Sequence, residues 1–199
     1  MKILKIIGII LLVIVLSGVV WMLTWPNHAH LERTATINAP VEKVFAVVND
    51  FGQTKKWSPW MKIDPNAKYT YSDNLVGAGA WYSWTSDHDQ VGDGRQELLE
   101  SVENKLVKTK MEFGGMEGNY IADFIMEPDG ENTKLTWTFD GEGEQLQDKF
   151  FFSMSEAFLG PQYEQGLADL KAYIEGLPDA EPEQEMMESD STVVEEETM

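Results

Sequence analysis

Asp87-His88-Asp89 and the nearby Asp93 put three carboxylates and an imidazole within one short stretch of this 199-residue chain. Such donors suit a divalent cation. A zinc site, however, needs several His or Cys at defined spacing, and a calcium loop places acids at every second position. Neither spacing is met, so the stretch reads as a solvated hairpin loop. His28 and His30 form an equally sparse pair. Asp123 could serve as a general acid or base only from an inward position, and its neighbours Ala122 and Phe124 take that face. It reads as part of a solvated sheet surface. The chain has no cysteine and three histidines, which excludes thiol nucleophiles and thiolate metal sites and leaves few candidates for His-based catalysis. No glycine-rich phosphate loop and no Ser-His-Asp arrangement occurs. The expectation is no catalytic residue, no metal and no cofactor.

Charge narrows the partners. Against 34 Asp and Glu stand 15 Lys and Arg, a formal charge of −19. Nucleic-acid binding needs a basic patch that releases counterions, so that class is excluded. The charge divides the chain into three parts. Residues 1–25 carry only Lys2 and Lys5, residues 26–177 carry 25 acids against 13 bases, and residues 178–199 carry nine acids and no base. The 152 residues in the middle suit one domain with one core. The acidic tail lacks aromatics and cannot bury enough apolar surface to order itself.

Ile6 to Trp25 is a run of 20 uncharged, mostly apolar residues. At 1.5 Å rise per residue such a run crosses the hydrocarbon core of a bilayer, with Trp21 and Trp25 at the far interface. A cleaved signal peptide would have a shorter apolar region and a small-x-small cleavage site, and the residues from Val19 to Trp25 are mostly bulky. The run reads as an uncleaved anchor. Lys2 and Lys5 keep the N-terminus cytoplasmic and put the domain on the periplasmic or extracellular side.

Periodicity supplies the elements of the domain. Leu31 to Asn38 reads as a strand that breaks at Ala39-Pro40. Val41, Val44, Phe45 and Val48 recur at helical spacing. A second short helix falls around Gly52 to Trp57 and ends at Ser58-Pro59. Six strand-like runs follow: Ala67 to Ser72, Gly79 to Asp87, Asp93 to Val102, Lys105 to Phe113, Gly118 to Glu127 and Thr133 to Asp140. Their short connections predict an antiparallel meander. Tyr120, Ala122, Phe124 and Met126 share one face, as do Thr133, Leu135, Trp137 and Phe139. The helix carrying Tyr163, Leu167, Leu170, Ile174 and Leu177 is predicted to cover them. Gly160-Pro161 should bend or restart it after the aromatic stretch Phe150 to Phe158. An α+β fold with a curved antiparallel sheet gripping one helix follows.

The stretch Ile37-Asn38-Ala39-Pro40, the pair Val44-Phe45 and the segment Asp50-Phe51 to Trp57-Ser58-Pro59-Trp60 resemble the opening of the START-related SRPBCC superfamily. They are most similar to its polyketide cyclase/dehydrase-like branch. Gly166-Leu167, Leu170-Lys171 and Glu175 are similar to that family's closing helix. The resemblance spans residues 31 to 177. It implies a helix-grip fold, a curved seven-stranded antiparallel sheet wrapped around a long C-terminal helix, with two short helices after the first strand and a deep apolar cavity inside. It carries no fixed catalytic motif onto this chain. In such a fold Trp81, Trp84, Phe113, Tyr120, Phe124, Trp137, Phe139 and Phe158 either line the cavity or fill the core. Trp81 and Trp84, three apart, cannot both point inward on a regular strand. Trp57 and Trp60 fall near the cavity mouth, where they seal or gate it.

These readings lead to a membrane-anchored, non-catalytic binding protein holding a lipid or other apolar small molecule. An enzyme of cyclase, dehydratase or hydrolase type using the same cavity is the alternative, and an envelope protein-interaction module is the third class. The enzyme needs a polar group of shifted pKa converging on the cavity. The module needs a large exposed apolar patch.

Overall fold

The computed structural model describes residues 2–178, so the acidic tail lies, from Asp179 on, outside the described residues. In chain order the elements are α1 (Lys2–Leu23), β1 (His28–Ile37), α2 (Val41–Val48), α3 (Thr54–Trp57), α4 (Pro59–Ile63), β2 (Lys68–Tyr71), β3 (Trp81–Thr85), β4 (Gly94–Val102), β5 (Leu106–Phe113), β6 (Asn119–Asp129), β7 (Asn132–Glu142) and α5 (Leu146–Glu175). The seven strands form one antiparallel sheet in the order β1-β7-β6-β5-β4-β3-β2. β2 to β7 are the predicted meander, and β1 closes the order by pairing with β7 along its whole length, from His28↔Glu142 to Ile37↔Thr133. Alternation assigns the faces as expected. Tyr120, Ala122, Phe124 and Met126 of β6 and Thr133, Leu135, Trp137 and Phe139 of β7 are all buried.

Two elements depart from the sequence reading. Ser58-Pro59 does end a helical turn, but Pro59 then occupies the first position of α4, where its missing N–H costs nothing. Three short helices therefore follow β1, not two. Second, α5 runs unbroken through Gly160-Pro161 and takes in the aromatic stretch, giving 30 residues. A proline disfavours helical backbone at the residue before it through a clash with that residue's Cβ, and Gly160 has none. The carbonyl of Ala157, four residues before Pro161, loses its helical donor, but Ala157 is exposed and water can replace it.

α5 starts firmly because Asp148, at its third position, accepts from the backbone N–H of Gln145 at 3.2 Å and from the Tyr120 hydroxyl at 2.6 Å. Further on, it lies along the open edge of β1. There Arg33 donates to Glu164 at 2.9 Å and to Glu156, Lys171 donates to the Thr36 carbonyl at 2.6 Å, and Glu175 accepts from the Asn38 N–H at 2.7 Å. An edge strand is thereby covered rather than left to pair with another chain. The inward residues of α5, from Phe152 through Tyr163 and Leu167 to Ile174, join the core with the sheet and with Val44, Val47 and Val48 of α2.

α1 stands apart from this core, with no residue buried from Ile3 to Leu23. It is the one described helix long and apolar enough to cross a membrane. It ends in a tightened turn, Thr24 and Trp25 donating back to the carbonyls of Trp21 and Met22, and Pro26 stops it.

Candidate ligand cavity

Between the concave face of the sheet, the short helices and α5 lies a cavity of 460 Å³. Its floor is aromatic. Phe124 stacks on Trp137 with centroids 4.9 Å apart, and Trp137 stacks on Tyr163 at 4.0 Å, both pairs about 24° from parallel. Trp57 meets Phe124 and Trp137 edge-on at 5.8 and 5.7 Å, and Trp60 meets Trp137 and Tyr163 edge-on at 5.9 and 6.1 Å. Edge-on and offset contacts of this kind suit the ring quadrupoles. The close stacking on Tyr163 depends on Gly166, one turn further along α5. A Cβ there would come within 2.7 Å of Trp137 Cζ3 and 3.2 Å of Pro59 Cδ. Sequence placed Gly166 in a helix, and this contact explains why the helix tolerates it.

Several polar groups on the wall are paired within the protein. The Tyr82 hydroxyl donates to Gln96 Oε1 at 2.6 Å, Gln96 Nε2 donates to Thr109 Oγ1 at 2.9 Å, and Thr109 donates to the Ala122 carbonyl at 3.0 Å. Tyr163 donates to the Thr138 carbonyl at 3.4 Å. Burial pushes the phenols of Tyr82 and Tyr163 well above the ordinary tyrosine range, so both stay neutral. The indole N–H groups of Trp57 and Trp137 are the exception, because each is buried without a hydrogen-bond partner.

The lining also takes in the loop residues Asp89 to Asp93, Trp60, Met61 and Ile63 of α4, and Phe158, Leu159 and Gln162 of α5; the exposed ones, Asp89, Gln90, Asp93 and Phe158, mark its rim. Trp84 ties this loop down by donating from Nε1 to the Val91 carbonyl at 3.3 Å. Asp93 accepts from the Ser86 N–H at 3.1 Å, and the Ser86 hydroxyl donates to Asp64 at 2.5 Å. Of Asp87, His88 and Asp89, Asp89 alone is among the lining residues. Among the described residues no group of three or more His, Asp or Glu could hold a metal.

Of the eight aromatic residues proposed from sequence, Trp84, Phe113, Phe124, Trp137, Phe139 and Phe158 contribute to the lining, Phe158 as a half-exposed rim residue. Two do not. Trp81 lies on the opposite face of β3, its ring stacked under the Arg95 guanidinium at 4.1 Å, as its spacing of three from Trp84 requires. Tyr120 points inward but is fully buried beneath the start of α5, where Asp148 holds its hydroxyl. Burial and that carboxylate together push its phenol up. Trp57 sits in the floor, 5% exposed, while Trp60 stays nearer the rim. Sequence reasoning missed the Tyr82–Gln96–Thr109 chain and the methionines Met61, Met111 and Met116. Tyr82 stands two residues from Trp84 and so shares its face, which is the signal that could have found it, whereas methionines in a short helix, a strand and a loop give no common cavity signal.

Asp123 lies on the outer face of the sheet, as alternation requires, but it is not solvated. Its side chain is 16% exposed, Lys108 approaches to 3.5 Å, and Oδ1 has no partner. Burial pushes this carboxyl up despite the lysine. Cross-strand neighbours Lys108 and Thr138 cover it on the pleated surface.

Comparison with known proteins agrees with this architecture. Residues 28–175 match the family described as polyketide cyclase/dehydrase and lipid transport, and the chain belongs to it. Solved structures with the same fold include a START superfamily protein from Mycobacterium smegmatis, at 19% identity and a TM-score of 0.54, covering 75% of this chain and 99% of that one. A protein from Nitrosospira multiformis has 18% identity and a TM-score of 0.55, with 73% and 95% covered. Norcoclaurine synthase from Thalictrum flavum, solved with dopamine and hydroxybenzaldehyde, has 15% identity and a TM-score of 0.58, with 76% and 90% covered. No curated protein matches the chain.

Proposed function

We propose that this is a membrane-anchored binding protein that holds a lipid or other apolar small molecule in its internal cavity without transforming it. The observation that carries this reading is the lining. The 460 Å³ space is walled by aromatic and methionine side chains, the composition of a site that buries apolar surface. The buried phenols of its wall are neutral and bonded within the protein, and its carboxylates, Asp89 and Asp93, belong to the exposed loop rather than to the buried wall. The unpaired indole N–H groups of Trp57 and Trp137 favour an apolar molecule that carries one acceptor oxygen.

The anchor is α1, with Lys2 and Lys5 on the cytoplasmic side and the domain on the other. It keeps the cavity within reach of lipid. Purification of the full chain from its native membrane, organic extraction and mass spectrometry test the reading. A stoichiometric apolar molecule is expected. Its absence, together with no quenching or shift of tryptophan emission on adding fatty acids or phospholipids, would refute it. Norcoclaurine synthase shares the fold and is an enzyme, yet likeness at 15% identity transfers no chemistry, and nothing on this cavity wall favours a catalytic reading over binding.

A further inference from the structure

Leu146, Phe150, Met154 and Phe158 follow one another at intervals of four along α5 and are 53%, 47%, 39% and 51% exposed. They make an apolar stripe about 18 Å long at 1.5 Å per residue. The other exposed large apolar residues described outside α1, such as Tyr71, Val76, Leu99 and Ile125, are scattered over other elements. Single apolar residues on a surface need no explanation, but a contiguous row does.

Three observations identify what covers it. Trp25, at the exit of α1, packs on Phe150 with ring centroids 5.4 Å apart and on Trp21 at 5.2 Å. Tryptophans at the end of a spanning helix lie at headgroup level, so Phe150 lies there too. Only Thr24 to Asn27 separate α1 from β1, a tether that reaches at most about 14 Å and cannot hold the domain clear of the bilayer. Finally, from Lys149 to Tyr163 the only charged side chains are Lys149 and Glu156, each already paired, with Glu144 and Arg33. The rest of the domain is strongly acidic and would be repelled by anionic lipid. This neutral apolar face is the one that can approach.

We infer that the stripe Leu146-Phe150-Met154-Phe158 rests on the phospholipid surface beside the anchor and turns the cavity mouth towards the bilayer. Phe158 belongs to both the stripe and the cavity rim, so a lipid would pass from leaflet to cavity across it without crossing water. The inference rests on the reading of α1 as an anchor.

The absence of cysteine makes each introduced cysteine a unique labelling site. The full chain is reconstituted into vesicles of phosphatidylcholine and phosphatidylglycerol with nitroxide labels in the separate variants Met154→Cys, Phe158→Cys, Glu131→Cys and Val13→Cys. Accessibility to oxygen and to a water-soluble nickel chelate is read by power saturation. Labels at 154 and 158 should favour oxygen over nickel, at a depth between those of positions 13 and 131. An aqueous pattern like that of position 131, or shielding from both reagents as under a protein partner, would overturn the inference. A lipid-exposed label at 13 with aqueous labels at 154 and 158 removes the stripe's role alone. An aqueous label at 13 overturns the anchor and the inference together. Far-UV circular dichroism of each variant confirms that the domain remains folded.

Discussion

Gly166→Ala tests the packing that shapes the cavity floor, because two opposing effects of known size meet at one atom. In a free helix the change stabilises by about 1 kcal/mol, since glycine loses the most conformational freedom on folding. Here the new Cβ would lie 2.7 Å from Trp137 Cζ3 and 3.2 Å from Pro59 Cδ. Neither neighbour yields easily. Trp137 is held between Phe124 and Tyr163 at 4.9 and 4.0 Å, and Pro59 is a ring that opens α4. Forcing a methyl into such packing costs about 1–3 kcal/mol, and the short distance to a rigid ring puts the cost toward the upper end. The net expectation is a loss of about 1–2 kcal/mol, which lowers the midpoint of thermal unfolding by about 2–8 °C for a domain of this size. Trp137 can relieve the clash only by moving toward the cavity, so ligand uptake should fall as well. Unfolding of the full chain in nanodiscs, followed by intrinsic fluorescence, reads the first effect. The double variant Gly166→Ala/Trp137→Phe should recover part of the loss, because the smaller ring clears the methyl, giving a coupling of opposite sign to the single changes. A rise in the midpoint for Gly166→Ala alone would mean that helix propensity outweighs the contact and that the floor is softer than the ring stacking implies.

Tyr120→Phe removes the hydroxyl that Asp148 accepts from inside the core; a loss of about 1–3 kcal/mol in stability is expected, because one buried carboxylate oxygen loses this partner while the Gln145 N–H still holds the other, measurable by urea unfolding. His30, bonded to Asp140 at 2.7 Å, has its pKa raised above 6.5, chiefly by that hydrogen bond. Stability from this pair is therefore full below pH 6.5 and is lost as pH rises through the folded-state value; an NMR titration of the imidazole should give a midpoint above 6.5 that Asp140→Asn lowers. Asp123, whose carboxyl is pushed up by burial, binds its proton more tightly folded than unfolded, so its ionisation removes stability as pH rises through the window above the usual carboxylate value. Asp123→Asn should leave stability at neutral pH unchanged or higher and flatten that dependence in unfolding curves taken across acidic pH.

What was legible in the sequence was whatever depends on local period. The inward set of β6 and β7 and the inward stripe of the last half of α5 repeat at 2 and 3.6 residues, and they occupy the core as those periods require. The Trp81 and Trp84 pair shows the rule working at a single strand, since only the latter reaches the cavity. What was not legible depends on the identity of a distant neighbour. The passage of α5 through Pro161 is the exception, since its cue, the missing Cβ of Gly160, stands next to the proline in sequence. Asp123 alternates as a surface residue should, yet Lys108 and Thr138, contributed by two other strands, close over it. The Tyr82–Gln96–Thr109 chain crosses three strands, so its members become partners only after the sheet is ordered.

The net charge follows the same division between local and distant information. As a total, −19 argues against nucleic acid as a partner and says nothing about orientation. Distributed over the fold, it does. The two acids in the first half of α5 are both engaged, Asp148 buried against Tyr120 and Glu156 turned with Glu164 to Arg33 on β1, and further on Asp169 turns to Lys62 on α4. The exposed side of that first half is left without unpaired charge, beside Trp25 and at the rim of the cavity. If α1 spans a membrane, as proposed above, an acidic domain tethered to it by four residues presents some face to lipid, and repulsion from anionic lipid makes the acidic faces the costlier choice. On that proposal acidity is an orienting force: it does not bind the ligand, but it would turn the neutral, apolar side of the domain, with Phe158 of the cavity lining at its end, toward the bilayer.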